Sequence, residues 1–121
     1  MNHLILILIS VLLTALGQLF FKKGMAAIAD QLPQLPMWKM IGYGLLNLYV
    51  LLGFLAFGTG ALLWLAVLAR EELSYAYPLS SLGYLVVLFG SFFFFQEQIS
   101  LIRILGILVI IAGVFLVEYS R

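Results

Sequence analysis

LILILISVLLTALGQLFF, residues 4–21, holds only three polar side chains, Ser10, Thr14 and Gln18. A run of roughly 18 apolar residues, rising about 1.5 Å per residue as a helix, is long enough to cross the ~30 Å hydrocarbon core of a bilayer. Three more such stretches follow, Met40–Ala69, Leu73–Phe95 and Leu101–Val117, and nearly all the charges fall between them. Of the 121 residues, 65% are hydrophobic and 9% charged, with a mean hydropathy of +1.21. Soluble domains carry about a quarter charged residues, so this chain has no means of covering its surface in water. The reading is all-α: a polytopic membrane protein with four transmembrane helices, at about residues 4–22, 40–69, 74–95 and 100–118, forming a single domain over residues 1–121.

The same numbers exclude other classes. There are no cysteines, hence no disulfides, thiolate metal sites or cysteine nucleophiles. A net charge of +1 with no basic run gives no reason to expect nucleic acid as a partner. Lys22 and Lys23 lie after the first apolar stretch, whereas a cleaved signal peptide has its cations before it. Four helices enclose little space, so a substrate pathway is expected to need two chains, and the functional unit is expected to be a dimer. Lys22, Lys23, Lys39 and Arg103 fall on one side of a four-span topology, Arg70 and Arg121 on the other. The positive-inside rule then puts the connections after spans 1 and 3 in the cytoplasm and both termini outside; so small a bias leaves dual insertion open.

Local signals refine the spans. Cations and a glycine at Lys22-Lys23-Gly24 read as the end of the first helix. The segment Met25–Met37, with Asp30, Pro33 and Pro36, is expected at the interface, anchored by Trp38. The second stretch is too long for one crossing, so it should begin in the headgroups or break around Gly42, Gly44 and Asn47. Arg70-Glu71-Glu72 reads as a tight turn, Pro78 as a first-turn residue or kink, and Gln96–Ser100 as the last turn.

Function must lie in what is polar inside the spans. Ser10, Thr14, Gln18 and Lys22 are four apart and share one helical face. Tyr77, Ser81, Tyr84 and Ser91 do the same on the third span, while Asn47, Tyr49, Thr59 and Trp64 on the second are less well aligned. Such groups are either interhelical glue, at about 0.6–2 kcal/mol per hydrogen bond, or the wall of a watery path. Gln18 favours the second reading, since its amide has two donors and an acceptor to satisfy; Lys22 and Lys23 alone also fit headgroup anchors. The fourth span has no polar side chain between Arg103 and Glu118. Its Gly106 and Gly113, seven apart with Ala112 beside them, offer a smooth face for close helix approach, expected to be the dimer interface. No enzyme chemistry emerges: His3 is terminal, Glu71, Glu72, Glu97 and Glu118 are expected to stay hydrated at helix ends, and neither a phosphate loop, a metal-ligand spacing nor a cofactor motif is present.

Residues Gly106 to Val114 resemble the dimerisation motif of the small multidrug resistance transporters, and Leu16-Gly17-Gln18 with Lys22 resembles the end of their first helix. The resemblance implies a member of the drug/metabolite transporter superfamily. That family's membrane-embedded glutamate falls here at Thr14, and its tryptophan of the third helix at Leu79, ahead of Ser80-Ser81, so both parts of its cation site are missing. Ala76-Tyr77-Pro78-Leu79 with Ser81-Leu82, then Gln96-Glu97 and Ser100, resembles the subunits of the flippase for aminoarabinose linked to undecaprenyl phosphate, which also lack the glutamate. This resemblance implies a multi-pass protein of the bacterial inner membrane that moves a polyprenyl-phosphate-linked sugar between leaflets; the path expected from the polar stripes is Ser10, Thr14, Gln18, Lys22, Tyr77, Ser81 and Tyr84. It implies as partners a lipid-linked sugar or other small amphipathic substrate, membrane lipid, and a second chain, identical or paralogous. A small-molecule exporter of the drug-resistance type, and a non-transporting assembly subunit, stand as alternatives.

Overall fold

The computed structural model describes residues 3–120; Arg121, which entered the charge count, lies outside them. The order is α1 (His3–Gln31), α2 (Met37–Gly44), α3 (Leu48–Arg70), α4 (Leu73–Leu79), a 3-10 turn at Ser80–Leu82, α5 (Gly83–Phe94) and α6 (Leu101–Tyr119). Helix α4, the turn and α5 act as one span, Leu73–Phe94, so among the described residues four helical units are long and apolar enough to cross a membrane.

Helix α1 does not stop at Gly24. It runs for 29 residues to Gln31, about 43 Å at 1.5 Å per residue, and takes in the first half of the segment expected at the interface. The reason is tertiary. Gly24 is buried, and a Cβ there would lie 2.6 Å from Asn47 Oδ1 and 2.6 Å from Val50 Cγ2. Its missing side chain serves close packing rather than a left-handed cap, and no glycine among the described residues has positive φ. The helix ends instead just before Pro33, where proline disfavours the helical conformation of the residue preceding it. The interfacial helix is therefore α2, with Met37, Trp38 and Ile41 all exposed and Lys39 Nζ 5.3 Å from the Trp38 ring centroid. The overlong second stretch breaks at Leu45–Asn47. There the Asn47 side chain caps α3, accepting from the backbone N–H groups of Tyr49 and Val50 at 2.9 and 3.3 Å, as N-cap asparagines do.

Helices α1 and α3 pack antiparallel along a seam of glycines. Gly17 and Gly24 are seven apart on α1, Gly53 and Gly60 seven apart on α3. A Cβ on Gly17 would lie 2.8 Å from the Gly53 carbonyl oxygen, and one on Gly60 would lie 3.0 Å from the Ser10 carbonyl oxygen. Ser10, 1% exposed, adds a hydroxyl hydrogen bond to the Gly60 carbonyl at 2.7 Å. Lipid tails are as apolar as leucine, so helices here associate by close packing and hydrogen bonds, and glycine provides the closest packing.

At the other end of the bundle, Ile7, Val11, Val67, Tyr75, Ala76, Leu79 and Val114 form the buried cluster. Polar ties close it. His3 Nδ1 lies 2.8 Å from Glu71 Oε1, whose side chain is only 7% exposed, and the Tyr75 hydroxyl donates to the Glu118 carboxylate. Glu71 is thus not a hydrated helix-end carboxylate, and His3 is not an idle terminal residue: they join α1 to the α3–α4 turn. Away from Val114, α6 is largely uncovered, with Ile102, Leu105 and Val109 exposed.

If the glycine seam holds α1 to α3, Gly17→Ala should lower the melting temperature in detergent, at an overpacking cost of about 1–3 kcal/mol. Gly58→Ala, whose Cβ would meet nothing within 4 Å, should leave it unchanged or slightly raised, since alanine is the better helix former.

Candidate functional site

The helix-1 stripe faces a groove of about 660 Å³ between α1, α3 and the third span. Ser10, Thr14 and Gln18 come from α1, Phe57, Ala61 and Trp64 from α3, and Tyr77, Ser80, Gly83 and Tyr84 from the third span. The seam orients the stripe: with Gly17 locked against Gly53, the helical period turns Thr14 and Gln18 toward the groove.

The stripe residues differ in what their polar atoms do. The Ser10 hydroxyl is committed to Gly60 across the seam, and the Thr14 hydroxyl donates to the Val11 carbonyl of its own helix at 3.0 Å. Gln18 is exposed and makes no protein hydrogen bond among the described residues, so its donors and acceptor face the groove. Lys22 does not line the groove. It sits one turn beyond Gln18, its Nζ 3.9 Å from the Glu97 carboxylate, with side chains 56% and 39% exposed, and such a pair contributes at most about 1 kcal/mol. Gln96, at φ 54°, takes the left-handed region that non-glycine residues seldom enter, and turns the chain so that the Glu97 N–H donates to the Ser91 carbonyl at 3.1 Å.

On the third span Tyr77 and Tyr84 line the groove, but Ser80 stands where Ser81 was expected. After Pro78 the chain takes a 3-10 turn at Ser80–Leu82, in which side chains three apart eclipse. Tyr77, Ser80 and Gly83 therefore align, and Ser81 falls out of phase. Pro78 was the available signal, since an interior proline removes an α-helical hydrogen bond. The regular period also underplayed Trp64 and Phe57. With Tyr77 and Tyr84 they bring four aromatic rings to the wall, and no carboxylate is among the described lining residues. Such a wall offers ring faces and neutral hydrogen-bonding groups, suited to stacking and hydroxyl recognition. On α6, a Cβ at Gly106 or Gly113 would meet nothing within 4 Å among the described residues, so both positions have open space beside them.

Comparison with known proteins places these features. Residues 25–119 match the EamA-like transporter family. A protein of Aeromonas salmonicida named probable 4-amino-4-deoxy-L-arabinose-phosphoundecaprenol flippase subunit ArnE is 39% identical over 116 residues, 96% of each chain. A protein of the same name from Aeromonas hydrophila is 37% identical over 113 residues, 93% of this chain and 94% of its own. One from Yersinia pseudotuberculosis is 32% identical over 119 residues, 98% of each. No solved structure matches. The family match takes in three of the four spans, the full-length relatives take in α1 with its stripe as well, and the fold has four membrane-crossing helical units: the chain belongs to the EamA-like transporter family.

Proposed function

We propose that this chain is a subunit of a flippase that moves a polyprenyl-phosphate-linked sugar across the bacterial inner membrane. The observation that carries the reading is the Gln18 amide, exposed and without a protein partner among the described residues, in a groove that has four aromatic rings and no carboxylate among its described lining residues. A sugar has hydroxyls to match the amide and ring faces to stack on Trp64, Tyr77 and Tyr84. Relatives that share almost the whole chain are named for such a substrate. Drug export of the proton-coupled kind fits less well, because a cation in a dry cavity needs a counter-charge, and Thr14 stands where that charge would be. Lys22, one turn beyond the groove, is the cation that faces the substrate's phosphate while the sugar occupies this groove, after capture. Keeping it at the rim spares the cost of carrying charge to mid-bilayer.

The stripe has a direct test. Gln18→Leu keeps size and helix propensity but removes the amide, so it should abolish appearance of the lipid-linked sugar on the outer leaflet without lowering protein level. Lys22→Gln should chiefly weaken binding. Normal flipping by a well-assembled Gln18→Leu chain would reduce the stripe to helix glue and return the non-transporting subunit as the better account.

The groove is open along one side, and the proposed unit is a dimer, of identical or paralogous chains, joined through α6. Support comes from Gly106 and Gly113, where an added Cβ would meet nothing within 4 Å among the described residues. Replacing both glycines with leucine should hold the helix backbones apart and reduce α6–α6 cross-linking in membranes several-fold, with the monomer still inserted. Undiminished cross-linking would place the interface elsewhere.

A further inference from the structure

Helix α1 separates two grooves. On the face opposite Gln18, the residues Leu16, Phe20, Lys23, Ala27 and Asp30 follow at spacings of four, three, four and three, one continuous stripe. With Tyr49 of α3 and Phe94 and Phe95 at the end of α5, they line a second groove of about 560 Å³. Its wall is ordered along the helix. Leu16 and Phe20 are apolar, Lys23 is a cation, and Asp30 is an anion two turns further on, about 10 Å away.

The order has a meaning relative to the bilayer. From Leu4 to Lys23 the helix rises about 28 Å, close to the ~30 Å of the hydrocarbon core. Lys23 therefore marks the boundary and Asp30 the headgroup layer, on the part of α1 that extends past Gly24. The Lys23 ammonium lies 4.8 Å from the Tyr49 ring centroid, a cation–π contact that draws it to the groove wall. Asp30 is exposed and makes no ion pair or hydrogen bond among the described residues. A ligand complementary to this wall has an apolar tail, then a negative group, then a positive one.

We propose that this second groove captures the lipid-linked sugar in its leaflet of origin, with the tail on Leu16 and Phe20, the phosphate on Lys23 and an amino group of the sugar on Asp30. The proposal rests on the flippase reading above. An amino sugar, a phosphate and a polyprenol, in reverse order from the tail, are the parts of the substrate for which the relatives are named. An ethanolamine headgroup has the same charge order, but only two carbons separate its charges; a sugar ring better spans two helical turns. The arrangement also accounts for the neutral transport groove. A carboxylate that selects for the amine in the headgroup layer avoids the cost of one at mid-bilayer, so selection and crossing fall to opposite faces of one helix.

The test is native mass spectrometry of the full chain, offered equal amounts of aminoarabinose-phosphoundecaprenol, undecaprenyl phosphate and phosphatidylethanolamine. Asp30→Asn should lower retention of the amino-sugar lipid about tenfold, the worth of one charge-assisted hydrogen bond, and leave undecaprenyl phosphate unaffected. Asp30→Glu should restore it, and Lys23→Gln should weaken both polyprenyl lipids. Equal loss of both lipids in Asp30→Asn, or no loss, overturns the capture site. So does a loss confined to phosphatidylethanolamine, which would make the groove a seat for bulk lipid. An Asp30→Asn chain that binds and flips normally overturns this proposal alone, whereas a wild-type chain that neither retains the amino-sugar lipid nor moves it overturns the flippase reading itself.

Discussion

Contact between the backbones of α1 and α3 is the constraint on which the other features depend. In lipid there is no gain from expelling water between helices, so two spans stay together only if their atoms come close enough for dispersion and hydrogen bonding. Gly17, Gly24, Gly53 and Gly60 allow that, and the Ser10 hydroxyl binds the Gly60 carbonyl across the seam. Once the seam is made, the rotation of α1 is set. One face of it meets α3, a second carries Gln18, and a third carries Lys23 and Asp30.

The polar groups within the spans divide by whether their hydrogen-bonding capacity is already used. Ser10 and Thr14 each donate to a helix carbonyl, so their hydroxyl protons are already engaged. Gln18 is left with its amide facing the groove. Charge is kept to the ends: Lys22 with Glu97 at one, His3 with Glu71 at the other. A neutral middle between charged ends suits a substrate whose own charge is costly at mid-bilayer and whose hydroxyls are not.

Much of this was legible in the residues. Hydrophobic length marked the four spans, Asn47 marked the break in the second, and the four-residue spacing of Ser10, Thr14 and Gln18 marked the groove face. What escaped is what depends on a neighbour. Gly24 beside two lysines looks like a helix stop until Val50 and Asn47 are known to press against it. The seven-residue glycine spacing that drew attention to Gly106 and Gly113 occurs equally in α1 and α3, where it makes the main intrachain seam. Ser80 rather than Ser81 faces the groove because Pro78 shifts the local period. Glu71 is paired with a histidine 68 positions away, which no local pattern reveals.

The 3-10 turn after Pro78 makes the stiffness of the third span uneven. Below it, α4 is held by Tyr75, Ala76 and Leu79 in the buried cluster and by the Glu118 carboxylate of α6. Above it, α5 leans mainly on α1, with Gly90 receiving the Leu19 side chain, while Phe89, Phe92 and Phe93 face outward. Proline cannot donate to the Ser74 carbonyl one turn back, so the joint already lacks one of the bonds that resist bending. Such a span resembles a lever clamped at one end: any bending at the joint would displace Tyr84 on α5 relative to Tyr77, which lies on the clamped side.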